Sequence, residues 1–254
     1  MKYYVIHNPE WTERKEKLTE QFQKFGISAE WITSYPADDM EVIKAFTKSP
    51  MSLGYISCSM KHYDALQRLL DSDEPDAIIF EDDVILTEAF DEECISVAYP
   101  YVSLNMGPPG SQLEKPSRRF GYKTNNGGVE AYYVNKMFAS VFLQNVTLSR
   151  PMDLECHRFL YNFTGTLKIP CVPMCYQNYG EGVSLSSSSS SSVEEMSWKE
   201  YVLKSEQTTY TFKKLRELCT GLKGQENTPS WTRRWTLKSG VDFLMSLWRR
   251  YVTF

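Results

Sequence analysis

Three acids in a row, Glu81, Asp82 and Asp83, follow the apolar run in "AIIFEDDVIL" (Ala77 to Leu86). Taking a charge out of water at the end of a buried strand is expensive unless something compensates it. In an extended strand, residues two apart share a side, so Glu81 and Asp83 are expected to face one site with Asp82 opposite. The carboxyl edge of an open α/β sheet is where such folds place ligands. Paired carboxylates there suit Mg²⁺ or Mn²⁺, which take oxygen ligands and share them with substrate phosphates. A nucleoside diphosphate is the natural partner of such a half-built site. The plain alternative is a solvated strand-to-loop turn that caps a following helix.

The elements that must position these acids read as an α/β pattern. "KYYVIHN" is an opening strand. Thr12 to Phe25 carries Leu18, Phe22 and Phe25 at helical spacing and stops at Gly26. "SAEWITSYP" holds a second short strand, which makes the opening a strand–helix–strand unit with parallel strands. Ser57 or Ser59 is expected to cap a helix running through Leu70. Ala77 to Phe80 has no polar alternation, so it is expected to be a central strand covered on both faces. "GGVEAYYVNKMFASVFLQN" gives a turn, a strand and a helix. "GTLKIPCVPMCYQ" offers one further short strand broken by Pro170 and Pro173.

A serine run, Ser186 to Ser192, has nothing to bury. It divides a domain at 1–185 from a helical C-terminal extension at 193–254, with 186–192 as linker or loop. If helical from Leu237, the extension places Val241, Leu244, Met245 and Trp248 on one side, with Arg249 and Arg250 at its end. That pattern suits an interfacial helix on an anionic membrane; packing back on the domain is the alternative.

The net charge of −4 argues against nucleic acid as partner, because phosphate binding wants a basic surface. The opening turns polar after six residues, too early for a secretory signal, and no stretch is long enough to span a bilayer. A cytoplasmic location is expected, with peripheral contact on the inner face of a membrane through the tail. The six cysteines contain no CxxC pair. Cys171 and Cys175 form CxxxC near His157, but buried reduced thiols fit the pattern better than zinc.

"IIFEDDV" resembles the acidic motif of glycosyltransferase family 25, the group containing bacterial lipooligosaccharide galactosyltransferases and collagen galactosyltransferases. "YVIHNPEWTER" resembles the family's opening, with Val5, Ile6 and Arg14 in place. "SLGYISCSMKH" is similar in the order of Leu53, Gly54, Ile56, Cys58 and His62. "GGVEAYYVN", "RPMD" and "VPMCYQ" resemble later elements, so the likeness runs from Lys2 to about Ser184. Two departures stand out. His7 replaces the family's usual Asn, and Glu10 and Trp11 stand where it has a basic pair.

The resemblance implies a fold of the GT-A type: a single nucleotide-sugar-binding domain with a central, mostly parallel sheet. It implies transfer of a hexose, galactose or glucose, from a UDP-sugar to a hydroxyl of a glycan, glycolipid or glycoprotein, with Mn²⁺ (or Mg²⁺) and inversion. The roles it implies are Glu81 and Asp83 on the metal and His7, Asn8, Arg14, His62 and Asp82 around the donor. Asp153 is the implied base, with Glu155 as runner-up. A helix N-cap is the structural alternative for Asp153, and a packed core histidine that for His62. Two competing classes remain: a family relative that binds sugar nucleotide or glycan without turnover, and a different metal-dependent nucleotide phosphate enzyme.

Overall fold

The computed structural model describes residues 1–92, 95, 100–104, 120–123, 129–156, 159, 167–170, 174–177 and 209–219, with side chains omitted at 120–123, 167–170, 176 and 177. The serine run and the basic tail lie outside these residues. Met1–Leu222 forms one compact unit; a second, Lys223–Phe254, lies outside the described residues.

The opening folds as the pattern requires. β1 (Lys2–Ile6) leads to α1 (Thr12–Phe25) and β2 (Glu30–Ile32). Leu18 and Phe22 bury α1 against the sheet, each contributing about 1.5–3 kcal/mol. Gly26 ends α1 in a left-handed conformation, φ 68°, which a side chain would resist. A 3₁₀ turn (Ala37–Met40) and α2 (Glu41–Thr47) then lead to α3 (Leu53–Asp71).

The cap of α3 is Ser52, whose Oγ accepts from the Tyr55 amide, and not Ser57 or Ser59. Ser57 and Ser59 are buried inside the helix. Ser52 alone has the extended backbone that a cap requires.

β3 (Asp76–Glu81) is buried along Asp76 to Phe80, as its apolar run demands. It lies at the centre of a five-stranded sheet ordered β2-β1-β3-β7-β5, with β5 at Tyr101–Ser103 and β7 at Ala131–Asn135. β1 pairs in parallel with β2 and β3, whereas β7 runs antiparallel to both β3 and β5. The sheet is therefore mixed: four strands share a direction and β7 opposes them.

Alternation along β3 serves two cores. Ala77 and Ile79 join α3, α4 (Lys136–Leu143) and α5 (Phe212–Cys219) on one face. Ile78 and Phe80 join α1 on the other. Phe212 is buried against Tyr35 and Tyr63, so residues beyond the serine run complete this core. "GTLKIPCVPMCYQ" supplies two strands, not one. β8 (Leu167–Pro170) pairs with β6 (Phe120–Lys123), and β9 (Cys175–Gln177) pairs with β4 (Val84–Leu86). Pro170 is the last residue of β8, paired with Phe120, and Pro173 lies outside the described residues.

Candidate active site

The parallel register of β1 and β3 builds the site. Ile6 lies opposite Glu81, so His7 and Asn8 leave the sheet beside Asp82 and Asp83. β3 stops at Glu81, and Asp82–Asp83 form the turn into β4. The expected alternation ends there for that reason. Asp82 does not face away; all three acids line one cavity of about 450 Å³. That volume falls within the roughly 300–1,000 Å³ typical of small-molecule sites.

Asp82 is the anchored member. Its Oδ2 lies 2.8 Å from His7 Nδ1 and accepts from the Asn8 amide at 3.3 Å. Its Oδ1 accepts from Arg14 Nη1 at 3.0 Å. Arg14 also lies 3.6 Å from Asp83 Oδ2 and sits over the Trp11 ring, 4.2 Å from its centroid. His7 meets Trp31 edge-on at 5.1 Å. The first strand–helix unit is thereby tied to the acid turn. Of the expected donor-side residues, His7, Asn8, Arg14 and Asp82 line the cavity together.

Glu81 turns toward α3. Its Oε1 lies 3.2 Å from His62 Nε2 and 4.0 Å from Cys58 Sγ. Burial, then the neighbouring Asp83, Asp82 and Asp153 charges, holds its carboxyl well above the usual range. His62 is fully buried, and Nδ1 lies 3.0 Å from the Tyr132 hydroxyl. Burial lowers its pKa from 6.5 to about 3, so it is neutral at ordinary pH. It packs behind the cavity wall and is not among the residues that line it.

Asp153 and Glu155 separate. Asp153 lines the cavity from the first turn of helical residues 152–156. Burial raises its carboxyl pKa, opposed by the backbone amides of Leu154 and Asp153 and by His62. Glu155, two residues on, is directed elsewhere by the helix and is fully buried. Its carboxylate accepts from the Thr147 amide at 3.2 Å and the Thr147 hydroxyl at 2.9 Å. Glu155 is a structural anchor and does not line the cavity.

Sequence reasoning missed Lys61, Ser59 and Glu130, which also line the cavity. Lys61 is buried beside the acids, which lowers its pKa despite pulls from Cys58 and Asp82. Ser59 Oγ is buried without a hydrogen-bond partner. On α3, Lys61 lies one turn after Cys58 and Ser59 one turn before His62, which was the available signal for those two. Among the described residues, the lining carries five acidic side chains (Glu81, Asp82, Asp83, Glu130 and Asp153) against two basic ones, Arg14 and Lys61. That surplus of acid suits a divalent cation, which would offset it for an anionic ligand.

The chain is an α/β protein with a charged cavity at the carboxyl edge of its sheet. Residues 1–100 match the model of glycosyltransferase family 25, described as an LPS biosynthesis protein. The resemblance is thus met over the stretch that holds His7, Asn8, Arg14, His62 and the three acids, while Asp153 and Glu155 lie beyond it. The match implies glycosyltransferase activity, with a nucleotide-sugar donor and a glycan acceptor. No curated protein matches the chain. Among the described residues, no helix is long and apolar enough to cross a membrane.

Proposed function

We propose that the protein transfers a hexose, galactose or glucose, from a UDP-sugar to a hydroxyl of a glycan, glycolipid or glycoprotein. The observation that carries this reading is the acid turn, Glu81 to Asp83, opening on one cavity inside the stretch that matches the family. Asp83 and Glu81 would hold Mn²⁺ or Mg²⁺, supported by the surplus of carboxylate over cationic charge. Such an ion, when bound, neutralises charge on the departing diphosphate.

The chain's own residues do the rest. Asp82 fixes His7, the Asn8 amide and Arg14 in one arrangement at the donor side. Arg14 and Lys61 offer positive charge to phosphate oxygens. Asp153 takes the proton of the acceptor hydroxyl as that oxygen attacks the anomeric carbon. Its raised pKa makes it a stronger base than an exposed carboxylate. One displacement assisted by a base, with no covalent intermediate, inverts the anomeric configuration. A cytoplasmic enzyme, touching a membrane through its tail, accords with a lipid-linked acceptor.

The test is transfer and hydrolysis of UDP-galactose and UDP-glucose with Mn²⁺. Asp153→Asn should lower kcat by about 10²–10⁴-fold with KM for donor little changed. Unchanged kcat in that variant refutes the assigned base. Release of phosphate from nucleoside triphosphates, without sugar transfer, refutes the reaction class. Donor binding without turnover supports the non-catalytic relative.

A further inference from the structure

We propose that Cys58, His62 and Glu81 form a binding site for a borderline-soft divalent cation, Zn²⁺ above all, on the wall of the cavity. One ligand atom from each lies within 4.8 Å of the others. Cys58 and His62 are four residues apart on α3 and share a face, while Glu81 arrives at the end of β3. Mg²⁺ and Mn²⁺ favour all-oxygen sites such as the acid turn. A thiolate, an imidazole and a carboxylate together suit Zn²⁺, with a fourth position left for water.

The surroundings support the assignment. Metal-bound histidines use their second nitrogen in a hydrogen bond that fixes the ring. His62 Nδ1 has such a partner, the Tyr132 hydroxyl at 3.0 Å. With Nδ1–H donating to Tyr132, the Nε2 lone pair is directed at the cation. Cys58 and Glu81 line the cavity, which provides a route in and room for water. Ligation forms a Zn–S bond as the thiol proton leaves to water, together with any proton on Glu81. Burial keeps the thiol protonated until then, so uptake releases protons.

The site claims Glu81 away from the acid turn. If the transferase reading holds, Zn²⁺ therefore inhibits transfer; the cation site itself does not depend on that reading.

Titration of the full chain with Co²⁺, a spectroscopic stand-in for Zn²⁺, tests the site directly. The expected result is a sulfur-to-cobalt charge-transfer band that Zn²⁺ abolishes and Mn²⁺ leaves alone. Cys58→Ser should lose the band, with its fold checked by circular dichroism. Tyr132→Phe, which keeps every ligand, should weaken Co²⁺ binding about 10–100-fold. No band in the wild type, or an undiminished band in Cys58→Ser, overturns the proposal. Unchanged affinity in Tyr132→Phe overturns the assignment of His62 as a ligand. A chain that shows the band but no sugar transfer refutes only the transferase reading.

Discussion

Replacing Asp82 with alanine should destabilise the fold before it touches any chemistry. The side chain is about 6% exposed, and it meets His7, Arg14 and the Asn8 amide. Removing one side of a buried ion pair costs about 3–5 kcal/mol, because the remaining partner keeps its desolvation penalty. Two features place this site at the lower end. Arg14 retains Asp83 at 3.6 Å and the Trp11 ring, and loss of Asp82 relieves its repulsion of Glu81. The expected loss is therefore about 3 kcal/mol, or roughly 6–12 °C in Tm for a chain of this size. Asp82→Asn keeps an acceptor and should lose about half as much. Differential scanning calorimetry without nucleotide reads both. Arg14→Ala should cost less in the Asp82→Ala background than in the wild type, by about 0.5–3 kcal/mol. A Tm change under about 2 °C for Asp82→Ala, or strict additivity with Arg14→Ala, would refute the anchoring role.

Other outcomes follow from the same contacts. Phe212→Ala should destabilise by about 3–5 kcal/mol, since the ring is buried against Tyr35 and Tyr63; a neutral melt would show that the segment beyond the serine run is dispensable. Glu155→Ala should cost about 1–3 kcal/mol by leaving the Thr147 amide without its acceptor, while kcat at permissive temperature stays near wild type. His62 is neutral when folded but gains a proton when unfolded below pH 6.5. Its contribution is thus present above 6.5 and drains away as pH falls toward about 3. Tm measured across that window should fall less steeply in His62→Gln; parallel slopes would contradict the assignment.

Much of the architecture is legible because it is local. Periodicity marks α1 and Gly26 ends it, and the unbroken apolar run of β3 marks a strand covered on both faces. The direction of β7 leaves no such trace, because "EAYYVN" reads the same parallel or antiparallel. The role of Asp82 is hidden for a similar reason. Alternation holds only while the chain stays extended, and the turn after Glu81 brings Asp82 back to the cavity. Asp153 and Glu155 look equivalent in "PMDLE" until the helix separates them. Cys58 and His62 show their shared face in their spacing. Glu81 joins them only through the packing of α3 on the sheet, which no local pattern encodes.

If the acid turn holds a divalent cation for a uridine sugar nucleotide, UDP binding must depend on both the cation and Asp83. Isothermal titration of UDP into the wild type and Asp83→Ala, with and without Mn²⁺, measures that dependence. Mn²⁺-dependent binding of UDP is expected, not matched by ATP or GTP, and at least about tenfold weaker in Asp83→Ala, a loss of roughly 1.4 kcal/mol for one oxygen ligand. UDP binding that survives both chelation and Asp83→Ala, or no binding of any uridine nucleotide, would contradict it.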